Sequence, residues 1–134
     1  MSHRDDNYQG ASLCNLEYLL VNLGRNQETA EHLIRIFLEN YPLLSQRLLD
    51  AAESGDIPEL KNTLHDIRSS CVLFSAHRCV NMARDFEEAL RQGSELLVRS
   101  RADGSERMVR AKALCGYLQE MAGELAGYLD KKGA

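Results

Sequence analysis

At 134 residues the chain has the size of one compact domain, with room for a single core but not for a cofactor domain beside a catalytic one. Its 16 Lys+Arg against 20 Asp+Glu leave a formal charge of -4, so long-range electrostatics repel a polyanion and nucleic-acid binding is disfavoured. With 44% hydrophobic and 27% charged residues, two prolines and no tryptophan, the composition excludes a disordered chain and favours helices over an all-β fold.

The first 12 residues, MSHRDDNYQGAS, are polar and hold no apolar signal-peptide core, so residues 1–12 are expected to be a loose tail and 13–134 a single helical domain. No apolar run approaches the ~20 residues that span a bilayer. A cytoplasmic chain without membrane contact is therefore expected. The short apolar segment from Leu13 to Leu23 forms a first helix that stops at Gly24. Asn26 then caps a long second helix, in which Ala30, Leu33, Ile34, Phe37, Tyr41, Leu44, Leu48 and Ala51 recur at spacings of three and four. Pro42 falls inside this stripe without interrupting its phase, so it predicts a kink and not a break.

Gly55 ends that helix, and Asp56 with Glu59 resembles a capping box for a third helix reaching about Phe74. Its inward stripe is Leu60, Leu64, Ile67, Cys71 and Phe74. Ser75 is expected to cap an antiparallel fourth helix carrying Cys79, Val80, Ala83, Phe86 and Leu90 inward as far as Gly93. From Gly93 to Gly104 the period is lost, and Ser105 is expected to start a fifth helix with Met108, Ala111, Leu114, Leu118, Met121, Leu125 and Tyr128 buried. Four long amphipathic helices with short links predict an all-α, antiparallel up-and-down four-helix bundle, the short first helix covering one end. Gly123 and Gly127 have the spacing of a membrane helix-dimer motif, but Glu120 and Glu124 beside them point to packing or fraying instead. The four cysteines (Cys14, Cys71, Cys79, Cys115) form no C-x-x-C, and three lie in apolar stripes, as reduced structural thiols do.

His65 stands apart among the four histidines. Lys61, His65, Arg68, Ser69 and Val72 occupy a stripe of the third helix turned away from its apolar seam, which places them on the solvent face. A neutral imidazole, with an ordinary pKa of about 6.5, is a nitrogen nucleophile that can attack phosphorus without a dedicated base. One turn on, Arg68 offers a permanently charged fork and Ser69 a hydroxyl, both suited to the oxygens of a phosphoryl group. No G-x-x-x-x-G-K-[ST] and no kinase glycine loop is present, so nothing in the chain reads as an ATP site.

The segment LHDIRSSCVLFSAHRCVNMARDFEEALRQG, Leu64 to Gly93, resembles the core signature of histidine-containing phosphotransfer (HPt) domains, approximately H-x-L-K-G-S-S/A-x-x-L-G-A followed by a Leu-Glu pair. His65 falls at the phospho-accepting histidine and Arg68 at the basic position. Ile67 and Phe74 fall at the apolar positions, Ser70 and Cys71 at the small ones, Ala76 at the closing alanine, and Phe86-Glu87 at the Leu-Glu pair. The upstream stretch FLENYPLLSQRLLDAAESGD is similar to the family's second long helix, and the likeness extends from Leu13 to about Leu129. Ser69 and Ser75 depart from it, standing where the family usually has glycine, and Arg68 keeps the charge but not the shape of the usual lysine.

The resemblance implies that His65 takes a phosphoryl group from a receiver-domain aspartate and passes it to another, in a relay fed by a hybrid sensor histidine kinase. The Mg²⁺ would belong to the receivers, and the domain would be a monomeric phosphocarrier with no cofactor of its own rather than a kinase. It places Glu87 and Arg91 on the fourth helix facing His65, with Glu87 as an acceptor for an imidazole N–H, and gives docking to residues such as Lys61 and Val72. Residues 77–112 hold 8 basic against 6 acidic residues, a local excess that would favour a carboxylate-rich receiver. Two rivals stand beside this reading. A helical-bundle metal site lacks the Glu-x-x-His pairs it needs, and zinc at Cys71, His77 and Cys79 would require an outward Cys71. An adaptor of the same fold, docking a receiver or kinase without being phosphorylated because Ser69 spoils the site, remains open.

Overall fold

A computed structural model of the chain describes residues 13–92 and 101–133, the side chains of 101–105, 132 and 133 excepted. The expected tail, 1–12, and Gly93 lie outside the described residues. The helices are α1 (Leu16–Asn22), α2 (Gln27–Ser54), α3 (Ile57–Leu73), α4 (His77–Gln92) and α5 (Arg101–Gly133), and no strand occurs among the described residues. α2 packs on α3 and α5, α3 on α4, and α4 on α5, which closes an antiparallel four-helix bundle.

Local chemistry accounts for most of the boundaries. The side chain of Asn26 accepts from Thr29 N–H at 3.0 Å, and Asp56 from Glu59 N–H at 3.2 Å, satisfying donors the first helical turn leaves unpaired. The Asp56 capping box is only half formed: Glu59 Oε2 accepts instead from Arg47 and Thr63, and the Asp56 N–H donates to Ala51 O. Gly24 (φ 66°) and Gly55 (φ 75°) terminate α1 and α2 in the left-handed region. α2 runs through Pro42 without ending, so the expected absence of a break holds.

Two boundaries differ from the sequence reading. Ser75 does not cap α4. It takes φ 54°, with its N–H bonded to Val72 O (3.0 Å) and the next N–H, of Ala76, bonded to Cys71 O (2.9 Å). This is a Schellman turn with serine at the position that favours glycine, and Ala76 supplies the carbonyl that opens α4, accepting from Val80 N–H. α5 begins at Arg101, not Ser105, and so includes Gly104. Gly123 and Gly127 face open space rather than a close helix contact.

All five residues of the expected α3 stripe are buried, as are Cys79, Val80, Ala83, Phe86 and Leu90 of α4 and Ala111, Leu114, Leu118, Met121 and Leu125 of α5. Each fully buried Leu, Ile or Phe adds roughly 1.5–3 kcal/mol, enough to fix the rotation of α3 about its axis. Phe74 meets Phe37 edge-to-face at 5.6 Å between ring centroids, joining α3 to α2 at one end of the bundle. The α1 segment closes that end: Asn15 N–H donates to Phe74 O, and the N–H groups of Leu13 and Cys14 donate to Glu124 of α5. The four cysteines are free thiols, three of them buried. A hydrogen bond with Cys79 and burial push the Cys71 thiol well above its ordinary pKa, so it stays a neutral core residue.

Candidate functional site

With the apolar stripe of α3 locked inward, helical periodicity sends Lys61, His65, Ser69 and Val72 outward, and all four are exposed. His65 makes no hydrogen bond or ion pair among the described residues, which leaves its imidazole open to solvent midway along a 17-residue helix. Thr63, whose hydroxyl donates to Glu59 O at 2.8 Å, and the fully buried Leu64 lie just before it in the chain, so the backbone under the ring is held by the core.

The two flanks of His65 differ in charge. Toward α2, Arg47 bonds Glu59 at 2.9 Å and Asp66 at 3.0 Å, and the two carboxylates hold its guanidinium in the charged form. The acidic neighbour Asp66 is thereby partly neutralised. Toward α4, a groove of about 350 Å³ is lined by Lys61, Arg68, Arg84, Arg91, Glu87 and Glu88, four cations to two carboxylates. Arg68 is not a fully solvent-facing residue: its side chain is 30% exposed, and Nη2 lies 3.1 Å from Glu87 Oε1. Arg91 is paired with Glu88 of its own helix.

Glu87 therefore departs from its expected part. It sits across from α3 as expected, but its carboxylate engages Arg68 and makes no bond to the imidazole. Ser69 is exposed and makes no hydrogen bond among the described residues. Val72 is 57% exposed, and it is not alone. Leu73 on α3 and Ile36 and Leu43 on α2 are also exposed, Leu43 at 64%. Leu43 and Ile36 stand four and eleven residues before Arg47, which reaches Asp66, so helical spacing puts both on the side of α2 that borders the outward face of α3. Sequence reasoning missed Ile36 and Leu43, although their i, i+7 spacing outside the α2 core stripe is a signal that was there to use. No group of three or more His, Cys, Asp or Glu that could hold a metal ion occurs among the described residues.

An outward imidazole on a rigid helix, flanked by a guanidinium and bordered by exposed apolar side chains, is held where a macromolecular partner can reach it. The chain matches the Hpt domain family over residues 32–128, and it belongs to that family. No curated protein and no solved structure matches it. Membership carries with it a role in histidine phosphotransfer within phosphorelays, and no described helix is long and apolar enough to cross a membrane.

Proposed function

We propose that His65 is the phosphoryl acceptor and that the domain shuttles phosphoryl groups between receiver-domain aspartates in the cytoplasm. The lone pair of an imidazole nitrogen attacks the phosphorus of an aspartyl phosphate. The new P–N bond forms as the P–O bond breaks, the aspartate leaves as a carboxylate, and the other ring nitrogen keeps its hydrogen. Transfer to a second receiver is the reverse, with Mg²⁺ supplied by the receiver. Lys61 and Arg68 offer cationic compensation to the phosphoryl oxygens, while Val72, Leu73, Ile36 and Leu43 offer the apolar surface on which a receiver docks.

The observation that carries the reading is the exposed, unpartnered imidazole of His65 one turn from Arg68 on a helix whose rotation the core fixes. The test is incubation of the purified chain with a phosphorylated receiver and Mg²⁺. The expected result is acid-labile, base-stable label on the chain, lost in His65→Gln. Receiver binding without label from any receiver would identify a docking adaptor instead.

A further inference from the structure

Arg68 does not wait as a free donor. Its Nη2 lies 3.1 Å from Glu87 Oε1 and 3.4 Å from Oε2, and both side chains are mostly shielded from water, at 30% and 22% exposed. Its Nε is buried without an acceptor among the described residues. Glu87 thus places both oxygens on a single nitrogen and leaves the adjacent donor of the guanidinium unanswered. A guanidinium binds an oxyanion best when two parallel N–H groups meet two oxygens, which this pair does not achieve.

A stronger acceptor has a place one turn back along α3. Side chains at i and i+3 of a helix are neighbours, so a phosphoryl group on His65 would set its anionic oxygens within a side-chain rotation of the Arg68 fork. The carboxylate released by that rotation is not stranded. Arg84 and Arg91, three residues before and four after Glu87 on the same helix, line the same groove, and Arg84 makes no ion pair among the described residues.

We infer that Glu87 and a phosphoryl group on His65 compete for Arg68: Glu87 holds the guanidinium against α4 in the unphosphorylated domain and thereby lowers the equilibrium occupancy of the phosphorylated state. The inference rests on His65 being the acceptor. Its thermodynamic content is linkage. An interaction made only in the unphosphorylated state must be given up on phosphorylation, so its strength is subtracted from the stability of the phosphohistidine. Glu87 is a positioning residue in this scheme, acting through Arg68.

The test uses the whole chain and potassium phosphoramidate, a donor that needs no receiver. Phosphoryl transfer from its nitrogen to the imidazole releases ammonia, so at a fixed phosphoramidate-to-ammonia ratio the phosphorylated fraction, read by ³¹P NMR, is an equilibrium quantity. Glu87→Gln keeps the shape and removes the charge. It is expected to raise the ratio of phosphorylated to free domain roughly three- to tenfold, the size of a partly shielded ion pair. Arg68→Ala is expected to lower the ratio, and in that background Glu87→Gln is expected to change it by less than about twofold, the non-additivity of residues acting as a pair. An unchanged or lowered ratio in Glu87→Gln overturns the inference. So does an equal gain with and without Arg68, which would make Glu87 a diffuse charge. Phosphorylation of the native chain with a flat cycle sinks the competition alone, whereas no phosphorylation at His65 in any variant sinks the acceptor assignment and the competition with it.

Discussion

Replacing Ser75 with glycine should stabilise the domain, although it removes atoms from a buried position. Ser75 sits at φ 54° in the turn that joins α3 to α4, with both turn hydrogen bonds made by backbone groups. Its hydroxyl makes no hydrogen bond among the described residues, so little is lost with the side chain. A β-carbon in the left-handed region costs about 1–2 kcal/mol, which glycine avoids. Against this, glycine's greater freedom in the unfolded chain takes back about 0.4–1 kcal/mol. The net gain is about 0.5 kcal/mol, or roughly 2 °C in Tm for a domain of this size. Ser75→Ala separates the terms, because it deletes the hydroxyl but keeps the β-carbon, and it should match the native chain and lie about 0.5 kcal/mol below Ser75→Gly. The converse holds at Gly55, where φ is 75° and an added β-carbon would lie 3.1 Å from Arg107 Nη2, so Gly55→Ala should destabilise. Urea unfolding followed by circular dichroism reads all three, with an unchanged m value showing that stability changed and the surface exposed on unfolding did not. A Ser75→Gly variant less stable than Ser75→Ala would refute the reasoning, since the turn would then owe its stability to side-chain packing and not to backbone conformation.

The bond from Arg25 and its charge hold the Glu17 carboxyl below its ordinary pKa. This contact across α1 and its turn is therefore complete above the ordinary carboxylate range and is lost as pH falls through the lowered value. A carbon-detected NMR titration should show the Glu17 midpoint move up in Arg25→Ala; an unmoved midpoint would mean that the pair does not form in solution. Leu43→Asp should leave the melting temperature within about 2 °C, because the residue is 64% exposed, yet weaken binding of a receiver roughly tenfold or more by burying a charge in the apolar rim. Calorimetric titration against a receiver that phosphorylates the chain is the check, and wild-type affinity would move the docking face elsewhere.

The stripes of α2 to α5 were legible in the sequence because burial repeats every three or four residues, and a repeated signal survives single ambiguous positions. Three features were not, for distinct physical reasons. Serine before a helix ordinarily reads as a cap, and only the backbone angle of Ser75 shows that the Schellman turn has taken the residue first. Gly104 and its polar neighbours read as a loop, yet a glycine costs a helix only about 1 kcal/mol, and the packing of α5 beyond it carries the helix back to Arg101. Arg107 reads as a surface charge but is 7% exposed and donates from Nε to Ala52 O at 2.9 Å, a partner 55 positions away that no local pattern can announce.

The site divides along the same line. Which residues of α3 face outward follows from which face inward, so His65, Lys61, Ser69 and Val72 could be placed from one helix alone. What Arg68 and Asp66 do could not be placed, because each is decided by a charge on another helix: Glu87 on α4 draws the first and Arg47 on α2 the second. The outcome is an asymmetric field about His65, with acidic charge partly compensated on the α2 side and an excess of cations in the groove on the α4 side. A phosphoryl group on His65, as proposed above, would reach the Arg68 fork only once the Arg68–Glu87 pair opens. For that reason the identity of residue 87, acid or amide, should tune the occupancy of the phosphorylated state without altering the fold that presents it.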